Sequence, residues 1–196
     1  MRRSWNMREL VVIAALSVVF GILYLWWIPV GRLAAGVGGP LAREPLFGFW
    51  LIAGVAAGYI VRKPGSAVVA EVIASFTEAL AGSSAGLLVL AWGLVQGGGV
   101  EVVFLATRYR NFSLPVVMLS GAVAAAAAFG FQALIQGYGV LNTELIIGMF
   151  VLRVASGAVL AGMGGKYLAE ALAATGVLRG FAVGQEWLRR QRQRSA

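Results

Sequence analysis

Long apolar stretches, broken by short charged turns, fill this chain from end to end. Six of them approach the ~20 residues that a bilayer core requires. They cover about residues 10–30, 46–61, 65–81, 84–106, 113–135 and 145–165, and the last continues as helix to about 175. Arg62-Lys63-Pro64-Gly65 and Arg108-Tyr109-Arg110-Asn111 are short, charged and turn-prone connections, and residues 137–142 make a third. The runs are continuous rather than alternating, and many are alanine-rich, so they predict helices and not the ~10-residue strands of a barrel. The expected fold is an all-α integral membrane protein with six transmembrane helices, a single transmembrane domain over residues 1–196.

The basic residues orient it. With the N-terminus in the cytoplasm, Arg2, Arg3, Arg8, Arg62, Lys63, Arg108, Arg110, Arg179, Arg189, Arg190, Arg192 and Arg194 fall inside. Arg32 and Arg43 fall outside, while Arg153 and Lys166 lie within the sixth span. Such a bias places both termini in the cytoplasm. Residues 176–196 then form a basic cytoplasmic tail resting on anionic lipid. The first stretch has the basic start of a signal peptide. Its apolar part, Leu10 to Val30, is too long for one, and Trp26-Trp27 make a poor cleavage context.

Composition agrees with this picture and narrows it. The chain is 60% hydrophobic and 12% charged, against about 25% charged for a soluble domain. There is no cysteine and no histidine, which removes disulfides, thiol nucleophiles, imidazole catalysis and the usual zinc sites. The net charge of +8 comes from residues scattered at span ends, so it speaks for a lipid bilayer and not for nucleic acid.

All eight acidic residues are glutamates. Three of them, Glu71, Glu78 and Glu101, fall inside predicted spans, where a charge costs at least about 2.5–3.5 kcal/mol unless paired or wetted. Helical rise puts Glu78 about 5 Å below the outer end of the third span, Glu71 about 15 Å down and Glu101 about 25 Å down. Arg153, about 13 Å down the sixth span, matches Glu71 in depth. The expectation is a structural ion pair between Glu71 and Arg153 that neutralises both. Glu78 is left to receive a cationic ligand near the outer mouth.

Trp27, Trp50, Trp92 and Tyr138 map to the same outer half, where indole faces can attract cations and stack on flat rings. Some of these residues also suit an interfacial aromatic belt. Gln96, Gln132, Gln136 and Asn142 add neutral donors and acceptors. Gln96 precedes Gly97-Gly98-Gly99, which loosens the helix where backbone lines a cavity or packs on protein. The candidate substrate-binding set is Glu78, Trp92, Gln96, Trp50, Trp27, Tyr138, Asn142 and Glu71.

Small residues recur at helical spacing: Ser17-x-x-x-Gly21, Gly54-x-x-x-Gly58, the alanine-rich run 122–128 and Gly157-x-x-x-Ala161. They either pack the protein internally or offer a smooth face to another subunit. Gly162-Met163-Gly164-Gly165-Lys166-Tyr167 superficially resembles a phosphate loop. It lacks the Ser/Thr after lysine and lies in an apolar helix. No catalytic motif is present, so an enzyme is not expected, and no cofactor or metal is expected either.

The order and spacing of several segments are similar to those of the YkoE family. These are Arg62-Lys63-Pro64-Gly65-Ser66-Ala67, then Glu71 and Glu78, then Gln96-Gly97-Gly98-Gly99-Val100-Glu101, then Arg108-Tyr109-Arg110. Phe20-Gly21-Ile22-Leu23-Tyr24 and Thr175-Gly176-Val177-Leu178 extend the resemblance over about residues 5–180. It implies a substrate-binding S component of an energy-coupling factor (ECF) transporter in a prokaryotic cell membrane. Such a protein captures thiamine or its hydroxymethylpyrimidine precursor from outside. It works with a transmembrane coupling subunit and two ATPase subunits, so ATP hydrolysis sits in other chains. S components use a small-residue face on helix one for the coupling subunit, for which Ala14, Ser17 and Gly21 are the candidates here. Thiamine suits the residues independently: a cationic thiazolium for Glu78 and an indole, a flat aminopyrimidine for stacking and amide contacts.

Other readings compete. A proton-coupled transporter of small aromatic cations would use the same glutamates as proton carriers. A membrane enzyme lacks a nucleophile–base pair. A purely structural subunit would leave Glu78 unexplained.

Overall fold

In the structure, a computed structural model, residues 5–138 and 141–194 are described, and all of their regular structure is helical. Arg2 and Arg3 of the topology argument lie outside the described residues. Helix α1 (Met7–Arg43) passes into a 3₁₀ segment (Glu44–Leu51) and then α2 (Ile52–Val61). Helices α3 (Ser66–Leu80), α4 (Leu88–Ala106) and α5 (Leu114–Gln136) follow. Helix α6 (Thr143–Ser156) continues through a π-helical segment (Gly157–Met163) into α7 (Gly164–Ala174), and α8 (Ala182–Arg194) closes the chain.

Among the described residues, four stretches are long and apolar enough to cross a membrane: Met7–Val61, Leu88–Ala106, Leu114–Gln136 and Thr143–Ala174. The first contains two of the expected spans, joined by helical backbone instead of an open loop. The return is made at Gly38 and Gly39, whose dihedrals leave the helical region. Gly39 has φ 70°, a left-handed backbone that glycine adopts without a Cβ clash, and Pro40 follows it. The expected span over 65–81 is α3, a helix of 15 residues.

The helices touch backbone to backbone where the small residues sit. A Cβ on Gly21 of α1 would come 2.4 Å from the Ala74 carbonyl oxygen of α3. One on Gly97 would meet Val68 Cα at 2.6 Å, and one on Gly99 would meet Ala124 Cα at 2.5 Å. Gly157 opens the π-helical segment against Gly121 of α5, where an added Cβ would lie 2.4 Å from the Gly121 oxygen. Close approach of this kind gains dispersion contacts that lipid does not offer. It also corrects one expectation. Gly21 is buried against α3 and Ser17 is fully buried within the chain, so neither is free to face a coupling subunit. Ala14 is half-buried.

The basic C-terminal segment is not a loose tail. Val183 is buried, and Trp187 packs on the main core cluster. Arg62 clasps Glu186 through two bonds, Nη1–Oε1 2.5 Å and Nη2–Oε2 2.8 Å. That hydrogen bonding holds the Glu186 carboxyl below its ordinary pKa. Lys63 bonds Glu9 at 2.7 Å. The α1 start, the α2–α3 turn and α8 therefore meet at one end of the bundle.

Candidate functional site

The opposite end of the bundle holds a cavity of about 430 Å³. Its walls come from α1 (Ile28, Gly31, Arg32, Ala35, Arg43), the 3₁₀ segment (Phe47, Trp50), the end of α3 (Ser75, Glu78), the following loop (Ser83, Ser84, Ala85), α4 (Val89, Trp92, Gln96) and α5 (Gln132). The volume lies within the roughly 300–1,000 Å³ of small-molecule pockets.

Glu78, Trp92, Gln96 and Trp50 of the sequence-predicted set line this cavity together. Glu78 is 4% exposed, and its Oε1 accepts from the Ser83 hydroxyl at 3.0 Å. The Trp92 ring is held edge-on by Phe131, with centroids 4.9 Å apart. Trp50 leans on Phe47 at 6.0 Å. Gln96 is only 6% exposed, and among the described residues nothing hydrogen-bonds its amide. Its amide lines the cavity and keeps its donors and its acceptor available to a ligand there.

The other predicted residues lie elsewhere. Trp27 donates its indole N–H to the Leu46 carbonyl at 3.2 Å and stacks on Phe49 at 4.3 Å. It fastens the 3₁₀ segment to α1. Tyr138 packs edge-on to Phe129 at 5.5 Å and is not among the residues that line the cavity. Asn142 is the exposed N-cap of α6, its Oδ1 accepting from the Glu144 amide at 3.0 Å.

Glu71 is not paired with Arg153. Its Oε1 accepts the Gly54 amide at 2.6 Å, and the Tyr24 hydroxyl approaches its two oxygens at 3.3 and 3.4 Å. The same hydroxyl accepts the Ala53 amide at 3.0 Å. Ala53 and Gly54 belong to the first turn of α2, where amides lack intrahelical partners. Glu71 and Tyr24 therefore cap a helix that starts inside the protein. Gly54 has no side chain because a Cβ there would lie 2.8 Å from Glu71 Cγ.

Arg153 takes its charge partner from Glu44, in the 3₁₀ segment. Arg153 Nη2 donates to Glu44 Oε1 at 2.9 Å, and Nε bonds Glu44 Oε2; both side chains are 0% exposed. The guanidinium lies over the Phe47 ring at 4.1 Å and donates to Gln132 Oε1 at 2.7 Å. Sequence depth missed this pairing because Glu44 sits ahead of the apolar stretch and reads as a loop residue. The 3₁₀ segment folds it into the bundle.

Glu101 also caps a helix. It accepts from the Gly65 amide, from the Ala67 amide at 3.2 Å and from the Tyr109 hydroxyl, at the start of α3. Burial first, and the Glu101 carboxylate next, push the Tyr109 phenol above its ordinary pKa, so it stays a donor. Glu101→Ala is expected to cost about 1–3 kcal/mol, the penalty for stranding buried donors. Thermal unfolding in detergent checks this; an unchanged midpoint would reject the cap.

Sequence reasoning left Gln132 outside the candidate set and did not see Arg32 or Arg43 as cavity residues. The polar cluster at residues 132 and 136 was the available signal for the first. Nothing in local pattern pointed to the arginines.

The family described as "ABC-type cobalt transport system, permease component" matches residues 8–127. A protein of Bacillus subtilis (strain 168), provisionally described as HMP/thiamine permease protein YkoE, is 43% identical over 194 residues, spanning 99% of this chain and 97% of that one. A solved structure described as an S-component of ECF transporter superposes with a TM-score of 0.93 at 44% identity, covering 98% of this chain and 97% of the other.

Proposed function

Because this chain belongs to the YkoE family of ECF-transporter S components, we propose that it captures thiamine or hydroxymethylpyrimidine from outside the cell for import. The observation that carries the ligand class is the cavity: the unpartnered Gln96 amide, the Glu78 carboxylate and the Trp50 and Trp92 rings open on one small chamber. Stacking between indoles and amide contacts suit an aminopyrimidine. A carboxylate beside an aromatic wall suits a thiazolium.

The proposal includes a single transmembrane domain of six membrane-crossing segments with both termini in the cytoplasm of a prokaryotic cell. A transmembrane coupling subunit and two ATPase subunits complete the transporter, and this chain itself performs no catalysis. Calorimetry or native mass spectrometry of the purified protein with thiamine and with hydroxymethylpyrimidine tests the reading. Saturable one-to-one binding of at least one is expected, and binding of neither would sink it.

Two other readings fit less well. Proton coupling through the buried glutamates is disfavoured because Glu71 and Glu101 are occupied as helix caps. A cobalt ion as cargo would find one carboxylate on the cavity wall, in a chain without histidine or cysteine. That donor set is poor for a transition metal.

A further inference from the structure

The cavity carries more positive charge than its proposed ligand explains. Its ionisable lining residues are Arg32, Arg43 and Glu78. Glu78 is turned to Ser83. Arg32 donates through Nη2 to the Ser84 hydroxyl at 3.0 Å, a neutral acceptor. Arg43 reaches Glu44 only at 3.5 Å, through Nε. Glu44 is already held by Arg153 through both of its oxygens. The wall thus holds two guanidiniums against one carboxylate; Arg32 is exposed and the Arg43 side chain is 39% exposed, so both are open to an anionic group that a purely cationic ligand would not supply.

The bland reading is that Arg32 and Arg43 are ordinary interfacial residues. Their distribution argues against it. Lys and Arg crowd the end of the chain's spans near the termini, and these two are the exceptions placed at the other end. An end that is depleted of basic residues has kept two, and both line the cavity.

Their level in the cavity matters as well. Gln96 lies about 12 Å and Trp92 about 6 Å into α4 from its start at Leu88, by helical rise. Glu78 is two residues from the end of α3. Arg32 meets Ser84 in the loop beyond both helix ends. From floor to mouth the order is therefore amide, indole and carboxylate, then the Arg32 guanidinium and the Ser84 hydroxyl, with Arg43 entering the wall beside Glu44.

We propose that Arg32 and the Ser84 hydroxyl at the mouth of this cavity, together with Arg43 on its wall, form a phosphoryl subsite, so that the protein takes the phosphate monoester of its aromatic ligand. The inference rests on the functional reading above and deepens it. Guanidinium forks match phosphate oxygens in geometry and charge. A ligand with a central cation and a terminal phosphate would satisfy Glu78 and both arginines together.

The test compares thiamine with thiamine monophosphate by calorimetry, on the full-length protein in uncharged detergent. The ester is expected to bind at least about tenfold tighter, a gain of the size that charge-assisted hydrogen bonds give. In Arg32→Gln/Arg43→Gln the ratio of the two dissociation constants is expected to fall to one or below. Equal or weaker binding of the ester by the natural chain, or a preference that survives in the double variant, overturns the proposal.

A second arm is independent of the aromatic ligand. Inorganic phosphate alone should raise the thermal midpoint of the natural chain and not that of the double variant. If neither thiamine compound binds but this shift is seen, the functional reading fails and the phosphoryl subsite stands; no shift overturns the subsite.

A lipid headgroup offers the same phosphate chemistry. The comparison is therefore repeated in nanodiscs of phosphatidylcholine with and without phosphatidylglycerol. A preference for the ester that persists with the acidic lipid supports the soluble ligand. A preference abolished by it assigns the arginines to lipid and overturns the proposal.

Discussion

Glu44→Ala is expected to destabilise the protein by about 3–5 kcal/mol, the cost of leaving one member of a buried ion pair unpartnered. Glu44 and Arg153 are both 0% exposed. Removing the carboxylate strands a guanidinium held only by Gln132 and the faces of Phe47 and Phe129. The effect should not be confined to stability. Gln132 lines the cavity and is held from one side by Arg153 and from the other by Gln136. The control is Glu44→Met/Arg153→Met, which removes both charges. Replacing a buried pair by apolar side chains of similar volume is often near neutral, so the double variant should be markedly more stable than Glu44→Ala. Unfolding midpoints of the three proteins in the same detergent decide this. A single variant within 1 kcal/mol of the natural chain, on the scale set for surface pairs, would show that the pair is wetted.

Glu78→Gln should weaken thiamine binding by roughly 10- to 100-fold while changing hydroxymethylpyrimidine binding by no more than about threefold. The first figure follows from a charge-assisted contact of about 1.5–3 kcal/mol and about 1.4 kcal/mol per tenfold. The second follows because the precursor lacks the cation. The substitution is conservative for the fold: Gln retains an acceptor for the Ser83 hydroxyl, which hydrogen-bonds Glu78 Oε1. Calorimetry with both ligands separates the roles. Equal losses would place the cation away from Glu78 and leave the carboxylate as a brace for the 81–87 loop.

The four buried glutamates show how far local pattern reaches. Sequence identified Glu71, Glu78 and Glu101 as costly and therefore employed, singled out Glu78 as the one near an aromatic chamber, and passed over Glu44. It did not find what Glu71 and Glu101 do. Both satisfy first-turn amides of helices, α2 and α3, whose starts are placed by the path of other segments. Depth along a span is one coordinate, and it matched Glu71 to Arg153. Contact needs two more, the rotation of each helix and the identity of its neighbours. Those placed Arg153 beside Glu44 instead.

The same division runs through the site. That Trp50, Trp92, Gln96 and Glu78 turn inward, onto the cavity wall, was legible because a polar or aromatic residue inside an apolar helix must face protein or a cavity, whatever the details of packing. Trp27 and Tyr138 have the same chemistry and similar depth, yet they serve as packing residues, because the 3₁₀ segment and Phe129 occupy their ring faces and edges. Small-residue spacing correctly marked where helices approach closely. Whether that approach is to another subunit or within the chain was settled only by the position of α3 against Gly21.

By itself, then, the sequence determined a helical membrane protein, its family and the kinds of side chain that must be turned inward, since hydropathy, glycine spacing and the cost of a buried charge act on each segment separately. Only the tertiary structure decided which charges pair, which glutamates cap helices and which arginines line the cavity, since those depend on distances between segments far apart in the chain.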